Sequence, residues 1–484
     1  MIEIMIAVFL YSIGKQTNLA HKAIHDGFRD MGGVYVKFLQ LLALRTEFLK
    51  DSDASVKYGV FDRVEVDDID VLDFLETNLS KDKLSRLTLS SPLPIAAGSF
   101  AQIYAGVIDG DRDVIIKILR PELSDFLYHD LRMMRVFVFF ARYFTPQQIS
   151  ADIKSVFKDF KKSTIQETNY LEEVRFANQQ YDNYKDNPLL FIPLTYNDFC
   201  TSNLIVQERL YGMPLTDIML MHRQGADVVK YVAEHLNSDL TTQLEQAGFE
   251  YLYGIFTMGR IQGDPHPGNI FLLPENKIGI VDFGISAEAP DDLGGFLDLL
   301  RGFLEVYDGK VNMGSFVMRS MRFFSRDLYQ SLMVVSKFQN GKGPAVETIE
   351  KALKNVADES FQTNKGHVNL TQLIDQGMVF RLVNNTINAG NRFAIELDVD
   401  GALVTKAAQM YMMVLHSLGM KRNVMRNVFA RTIEAVENNP EIDLKPAPQP
   451  DIAAAIETIT RWLEKVAERD PLLYRRLTNG VRGR

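Results

Sequence analysis

The sequence of 484 residues contains one cysteine, Cys200, and one tryptophan. A single cysteine excludes an intramolecular disulfide and a zinc site built from several thiolates. Basic residues are also in deficit, because 53 Lys and Arg stand against 62 Asp and Glu, for a formal net charge of −9. Since nucleic-acid-binding proteins usually carry a basic face, we expect no nucleic-acid partner.

Long apolar runs are absent as well. No apolar stretch reaches the roughly 18 residues that a membrane-spanning helix needs. The apolar run at 4–10 has no basic residue before it and no small-residue cleavage site after it, so the sequence predicts no secretory signal and no spanning helix. We therefore expect a cytoplasmic protein, and contact with a membrane surface stays open.

The sequence does contain two polar motifs at a fixed spacing. Residues 263–269 read Gly-Asp-Pro-His-Pro-Gly-Asn, and an Asp-Phe-Gly begins at Asp282. Asp264 and Asn269 stand five positions apart, and Asp282 follows Asp264 by 18 positions, which is the spacing of a kinase catalytic loop and its magnesium site. Asp264 can act as the catalytic carboxylate near the attacking group, with Asn269 and Asp282 as oxygen ligands for Mg²⁺.

The alternative interpretation is two turns with carboxylates that meet by chance. Each motif, however, adjoins an apolar run with the character of a strand, at 270–273 and 278–281. Two motifs in this order and at this spacing favour a kinase-like site over that alternative.

A second group of motifs, at 94–118, predicts a phosphate-binding meander. It reads as a strand, a turn of small residues, a strand, a hairpin at 109–111 and a third strand. Small residues let a backbone approach phosphates closely, so we predict nucleotide contacts from Ala96, Ala97, Gly98 and Ser99. Lys117 lies inside the apolar third strand, where a lone lysine is costly unless it is paired. We therefore assign it to the nucleotide phosphates.

The partner of Lys117 should be a glutamate on the helical stretch 165–178. Glu167, Glu172 and Glu173 compete for that role, and helical periodicity does not choose among them. Two further helical stretches, 123–143 and 146–163, precede this one, so the connection is longer than in an ordinary protein kinase.

The strand at 204–212 has the position of the segment whose backbone meets adenine in kinases. We predict cofactor contacts from Gln207 and Glu208. An ordinary strand end explains this segment equally well.

Five motifs, taken in order, resemble the UbiB/aarF-domain (ADCK) family of atypical kinases. Residues 37–40, Lys-Phe-Leu-Gln, are similar to the family's Lys-x-Gly-Gln motif, and 96–99 to its alanine-rich loop. Lys117 precedes Arg-Pro as in the family, and 167–170, Glu-Thr-Asn-Tyr, are similar to its Glu-x-Asp motif. The 263–269 loop matches most specifically. The match covers about residues 32–422.

The resemblance implies an α+β, protein-kinase-like bilobal fold with a small antiparallel-sheet lobe, a helical lobe and an N-terminal helical extension. It also implies ATP and Mg²⁺ as ligands, with Glu173 as the ion-pair partner of Lys117. In the family the extension folds over the active site, which gives Lys37, Gln40 and Glu167 a regulatory role. Members act more as ATPases than as protein kinases and associate peripherally with membranes, where they support ubiquinone or other isoprenoid lipid metabolism.

Three residues depart from the family pattern. Leu39 replaces a glycine, Asn169 replaces an aspartate, and Gly98 enters the alanine-rich loop. All three fall on features that separate this family from protein kinases. In the family, the extension over the active site prevents phosphorylation of other molecules, and these three departures leave open whether it does so in this chain.

We divide the chain into an N-terminal helical extension at 1–90, a small lobe with inserted helices at 91–212, a helical lobe at 213–437, and a proline-rich linker with a final helix at 438–484. Apolar periodicity predicts helices at 228–248 and 252–261, ahead of the catalytic loop, and a last helix at 451–468.

These features predict an atypical kinase or ATPase whose partners are ATP and isoprenoid or quinone lipids, or the enzymes that make those lipids. A small-molecule phosphotransferase is one alternative, because it would use a similar loop. A nucleotide-binding scaffold for a lipid-biosynthesis complex is another. Asp264 favours an enzyme, since a pure scaffold needs no catalytic carboxylate.

Overall fold

The structure is a computed structural model that describes residues 34–35, 38, 69–98, 100–144, 147–310, 313–338, 362–363, 366–367, 399–420, 423–444 and 449–482. The chain divides into two compact units. The first comprises the described residues of Met1–Lys185, Ile192–Leu210 and Asp282–Ile285, and the second those of Asp186–Phe191, Tyr211–Val281 and Ser286–Arg484.

The described helices and strands follow the α+β pattern that the sequence predicts. The helices are α1 (Val71–Asn78), α2 (Lys81–Arg86), α3 (Pro121–Phe144), α4 (Gln147–Glu167), α5 (Tyr170–Tyr184), α6 (Leu215–Arg223), α7 (Val228–Leu236), α8 (Leu240–Thr257), α9 (Leu293–Tyr307), α10 (Met313–Phe324), α11 (Arg326–Phe338), α12 (Val399–Ser417), α13 (Asn423–Glu437), α14 (Ile452–Arg469) and α15 (Pro471–Arg482). The strands are β1 (Leu87–Leu89), β2 (Ala96–Ala97), β3 (Ala101–Ile108), β4 (Arg112–Leu119), β5 (Leu190–Phe191), β6 (Leu204–Glu208), β7 (Met213–Pro214), β8 (Arg260–Gln262), β9 (Ile270–Leu272), β10 (Ile278–Ile280), β11 (Ser286–Glu288), β12 (Gln362–Thr363) and β13 (Gly366–His367).

The first unit is organised by an antiparallel sheet with the strand order β1-β3-β4-β6, to which β2 adds by pairing with β3. The hairpin between β3 and β4 places Asp109 and Gly110 at φ angles of 53° and 81°, a conformation that these two residue types tolerate. β4 buries Val114, Ile116 and Ile118 in one core cluster. Because side chains alternate along a strand, Lys117 lies on the opposite face.

Two long helices, α3 and α4, stand between β4 and α5, where the sequence predicts an insertion. They pack against each other. Phe160 of α4 is fully buried and meets Phe38 edge-to-face, with ring centroids 5.3 Å apart. Among the residues that the structure describes, no helix combines the length and the apolar character needed to cross a membrane.

The second unit is mainly helical and carries two small sheets that frame the predicted catalytic loop. One sheet has the order β5-β10-β9-β7, and the other pairs β8 with β11. Helix α13 packs against both α8 and α9. The predicted last helix is α14, and the basic segment after it forms one more helix, α15, which buries Leu473 and Leu477.

A buried ion pair fixes the start of α9. Asp292 is the N-cap of that helix and accepts from the backbone N–H of Gly295. Its carboxylate is 6% exposed and lies 2.9 and 3.0 Å from two guanidinium nitrogens of Arg322, which also contacts Asp298. One carboxylate therefore caps a helix and neutralises a largely buried cation.

We expect Asp292→Ala to lower the free energy of unfolding by about 3–5 kcal/mol, because it leaves the Arg322 charge without its main partner. Asp451→Ala is the matched control, since Asp451 also caps a helix but is exposed. That change should cost only about 1 kcal/mol. Equal losses of stability in the two variants, measured by urea denaturation, would show that the ion pair contributes nothing beyond the cap.

Candidate functional site

The centre of the first unit's site is the ammonium group of Lys117 on β4. Its Nζ lies 2.7 Å from Oε1 of Glu173 and 3.2 Å from Oδ1 of Asp282. The lysine side chain is 12% exposed and that of Glu173 only 2%. A charge this deeply buried is tolerated when oppositely charged groups surround it, and here two carboxylates do so.

Glu173 reaches Lys117 because α5 begins at Asn169. The Asn169 side chain accepts from the N–H of Glu172, at 3.2 Å, which is the N-cap interaction that Asn makes as well as Asp. Tyr170 and Glu173 are three positions apart and share one face of the helix. The Tyr170 ring centroid lies 5.4 Å from the Lys117 nitrogen. Asn169, which replaces the family's aspartate, therefore preserves the N-cap of α5 and removes only a negative charge.

The other two candidate glutamates lie elsewhere. Glu172 pairs with Arg175 on the outer side of α5, at 3.4 Å. Glu167 is the last residue of α4, and its charge helps to raise the pKa of Glu173.

The electrostatics of this group reflect its burial. Burial opposes the charge on Lys117, but the carboxylates of Asp282 and Glu173 outweigh it and raise the lysine pKa well above its ordinary value. Burial also raises the pKa of the Glu173 carboxyl to about 7, although Lys117 acts in the opposite direction. The pair is therefore fully charged only above neutral pH.

Asp282 has a left-handed backbone with φ of 62°, which Asp adopts more readily than most residues. Its Oδ1 accepts from the N–H of Gly284 at 3.2 Å, and the side chain is 44% exposed. Phe283 anchors the motif against Phe176, with centroids 5.7 Å apart. A Cβ at position 284 would lie 3.2 Å from Glu173 Oε2, so glycine allows this close approach.

The small-residue turn follows β2. The N–H of Gly98 donates to the carbonyl of Ala101 at 2.8 Å, and the buried Arg120 donates from Nε to the carbonyl of Gly98 at 3.1 Å. Arg120 thus fixes the turn that the sequence assigns to phosphates. Ser99 lies outside the described residues, as do Lys37 and Gln40 of the predicted regulatory motif.

Gln207 and Glu208 are placed at the end of β6. Gln207 is buried and donates from Nε2 to Thr195 Oγ1 at 2.9 Å. The N–H of Glu208 donates to the carbonyl of Leu194, and its Oε2 accepts from the Leu194 N–H. The side chain of Gln207 and the N–H of Glu208 therefore already have hydrogen-bond partners within the first unit. An adenine bound at this strand would need a different backbone group from the N–H of Glu208.

In the second unit, hydrogen bonds hold the 263–269 loop in shape. The Asn269 Nδ2 donates to the carbonyl of Asp264 at 3.2 Å, and the His266 N–H donates to the same carbonyl at 2.7 Å. His266 Nδ1 accepts from the N–H of Gly268 and caps the short turn Pro267–Asn269. These bonds fix the loop through the Asn269 amide nitrogen and the Asp264 backbone carbonyl.

The residues offered for Mg²⁺ suit that ion in their chemistry. Asp282 supplies a half-exposed carboxylate and Asn269 an amide oxygen, and Mg²⁺ prefers such oxygen ligands, few in number, with phosphates and water completing its shell. Within the described part of the chain no three His, Cys, Asp or Glu side chains converge as a metal site.

The sequence does not predict two further residues, one beside Lys117 in the first unit and one ahead of the catalytic loop in the second. Tyr170 stacks near Lys117, and its only signal was its place one helical turn before Glu173. Gln262 ends β8 and donates from Nε2 to the carbonyl of Val281 at 2.8 Å, while Tyr251 donates to the Gln262 carbonyl. Gln262 stands between Arg260 and Asp264 in the sequence, so no local pattern signalled that link.

Comparison with known proteins identifies the family. The model of the ABC1 atypical kinase-like domain matches residues 60–307. The protein named probable protein kinase UbiB from Tolumonas auensis is 24% identical over 94% of this chain and 76% of its own length. Its namesake from Sodalis glossinidius is 25% identical over 78% of this chain. This chain spans 63% of the length of the Sodalis protein.

Among solved structures, the Rv3197–erythromycin complex from Mycobacterium tuberculosis is similar, with a TM-score of 0.43 and 18% identity over 83% of this chain and 93% of that one. The family assignment does not depend on this structural similarity. It rests on the domain match, which covers about half of the chain and confirms the predicted kinase-like α+β fold class. The chain therefore belongs to the ABC1 atypical kinase-like family, and the predicted relationship to the UbiB proteins is confirmed.

Proposed function

We propose that this protein is an atypical kinase or ATPase that binds ATP with Mg²⁺ and moves its terminal phosphoryl group. The observation that carries the proposal is the ion triad of Lys117, Glu173 and Asp282. A buried lysine between two carboxylates, one fully buried and one half exposed, is costly as a structural device. The arrangement has a function if ATP phosphates bind on the exposed side, beside Asp282, where the Lys117 ammonium can neutralise their charge.

Each residue has a distinct task in this proposal. Glu173 holds the Lys117 ammonium at a fixed position, where it can neutralise charge on the phosphates. Asp282 and Asn269 offer oxygens to Mg²⁺, which supplies further charge neutralisation when it is bound. The backbone of 96–99 covers the phosphates, and Asp264 orients the attacking hydroxyl or water.

The acceptor and the setting are the finer part of the proposal. The curated relatives are named probable protein kinase UbiB, and the family resemblance implies support of ubiquinone or other isoprenoid lipid metabolism. We infer that this chain acts at a membrane surface, with isoprenoid or quinone lipids, or the enzymes that make them, as partners. Lys37, Gln40 and Glu167 have a regulatory role at the phosphate, as the resemblance implies, and the departures at Leu39 and Asn169 leave open whether they keep acceptors other than water out.

Phosphate release from ATP by the purified full chain tests the proposal. We expect turnover with Mg²⁺ that stops when EDTA removes the metal. Radiolabelled ATP incubated with a lipid or metabolite extract separates two outcomes, because hydrolysis releases only free phosphate and transfer labels a product. If ATP is consumed in neither experiment, the proposed activity is wrong.

The pH dependence follows from the raised pKa of Glu173. As the pH falls through about 7, this carboxyl becomes neutral and no longer holds Lys117 as an ion pair. We expect kcat/KM for ATP to decline below that pH, approaching about tenfold per unit. Glu173→Gln should be slow throughout and lack this acidic limb. The test covers about one pH unit on either side of this pKa, from about pH 6 to about pH 8. If kcat/KM of the wild-type chain stays constant over that range, the assignment of Glu173 as the functional partner of Lys117 is contradicted.

A further inference from the structure

The inserted helix α3 carries exposed apolar side chains on one side. Five large side chains on it are exposed, by between 39% and 65%: Tyr128, Met133, Val136, Phe139 and Phe140. We call this set the outer face of α3. The opposite side of the helix is buried through Leu127, Leu131, Met134 and Val138, so the helix is apolar on both sides.

This pattern departs from the usual surface helix. An amphipathic helix packed on a domain buries one stripe and turns polar side chains to water. Single exposed apolar residues are ordinary, but a contiguous row that includes several aromatic rings marks an interaction site. The rings of Phe139 and Phe140 contact each other edge-to-face, with centroids 5.4 Å apart. These two rings therefore form one continuous apolar patch within the row.

The charge around the part of this face at 131–144 is basic, whereas Asp125 and Asp130 flank Tyr128. Arg132 and Arg135 are exposed on the same helix, and helical periodicity places both beside Tyr128 and Phe139. No acidic residue occurs at 131–144. On the neighbouring helix α4, Lys154 and Lys158 are exposed.

The local balance of charge runs against that of the whole chain. Residues 121–167, which hold all of α3 and α4, contain seven basic and six acidic residues, whereas the chain as a whole carries a net charge of −9. The stretch at 131–144, with three arginines and no acidic residue, will therefore be attracted to an anionic surface that the rest of the protein does not favour.

Exposed aromatic rings flanked by arginines are the composition of helices that lie in the interface of a membrane. The rings settle at the level of the lipid headgroups, and the basic side chains are attracted to anionic lipids. We propose that α3 docks on an anionic lipid bilayer through its outer face, with the helix lying along the surface. This inference rests on the membrane contact in the proposed function and names the surface that makes it.

Binding of the full chain to lipid vesicles tests this proposal. The vesicles are phosphatidylcholine with or without about one third phosphatidylglycerol, and the bound fraction is measured by sedimentation. We expect the wild-type chain to bind the anionic vesicles, and more weakly as salt is raised. The double variant Phe139→Gln/Phe140→Gln should lose at least about tenfold in affinity. Arg132→Gln and Arg135→Gln should each lose about fivefold.

Two matched controls make the test specific. Leu72→Gln removes an equally exposed apolar side chain on α1, and Arg461→Gln removes an exposed arginine on α14. Neither control should change vesicle binding. Phosphate release without vesicles should be the same in all variants, because none of these side chains is assigned to the phosphate site.

The outcomes separate this inference from the proposed function. If the wild-type chain binds anionic vesicles and the α3 variants bind equally well, the docking surface is wrong and the membrane contact stands. If the wild-type chain binds no vesicles, both the surface and the membrane contact fail. If Phe139→Gln/Phe140→Gln instead turns a dimer into a monomer without lipid, a second copy covers this face and the proposal is overturned.

Discussion

Replacing Asp282 with asparagine should lower ATP turnover by about a hundredfold to a thousandfold, the largest effect that we expect from any single substitution. The change removes one negative charge and leaves the shape of the side chain. Asn tolerates the left-handed backbone that Asp282 adopts, and its amide N–H groups would face a metal that prefers oxygen. The loss therefore reports on the negative charge of Asp282, which serves both the metal site and Lys117.

Asp182→Asn is the control for this prediction. Asp182 is an exposed carboxylate on α5, in a surface pair with Lys185. Its replacement should leave both turnover and stability unchanged, because exposed pairs contribute little. If the Asp282→Asn variant hydrolyses ATP at the wild-type rate, the proposal that this chain is an enzyme that uses Mg-ATP at this site is contradicted.

Lys117→Ala should have the second largest effect, through two separate causes. Turnover should fall by about a hundredfold, because a preorganised positive charge at the phosphates is lost. The free energy of unfolding should fall by about 3–5 kcal/mol, because the carboxylate of Glu173 stays buried without its partner. Both quantities are measured on the same preparation, by phosphate release and by urea denaturation.

A double variant separates the two causes. In Lys117→Met/Glu173→Leu, two apolar side chains of similar volume replace the ion pair, and such replacements are often neutral or stabilising. We expect stability to return towards the wild-type value and turnover to stay low. Recovery of turnover together with stability would mean that the pair serves only the fold. Unchanged function of Lys117→Ala in cells, with unchanged partners, would favour a nucleotide-binding scaffold.

The contacts of Lys117 show how far sequence reasoning reaches. An apolar strand that contains one lysine predicts a buried, paired charge, because an unpaired one is costly. Sequence periodicity left three glutamates as candidates. Only the start of α5, set by the Asn169 cap, turns Glu173 towards the lysine. The position of the N-cap decides which side chains of α5 face β4. If the helix began one residue earlier or later, a different residue would face Lys117.

Helix boundaries before the catalytic loop were predicted less well. The sequence predicted one helix at 228–248, but the chain leaves α7 at Asn237, with φ of 47°, and restarts α8 with Asp239 as N-cap. The predicted start of a separate helix at 252 is wrong as well, because α8 runs unbroken from Leu240 to Thr257, after which Gly259 has φ of 67° and β8 follows. Apolar periodicity continued across both breaks, because the flanking elements bury the same side of the chain.

The outer face of α3 shows a different limit. The sequence predicted a helix at 123–143, and α3 spans Pro121–Phe144. With apolar residues on every side of this helix, periodicity did not indicate which of them the fold would cover. Packing against α4 decides that question, because it is a tertiary contact that a single sequence does not encode locally.

Titration of the full chain with ATP by calorimetry, with and without Mg²⁺, tests the central claim most directly. The account predicts one nucleotide bound per chain with Mg²⁺, and binding weaker by at least about tenfold when the metal is absent. The same titration of Lys117→Ala should show a comparable loss. No heat of binding in the wild-type chain, or equal binding by the wild-type chain and Lys117→Ala, would contradict it.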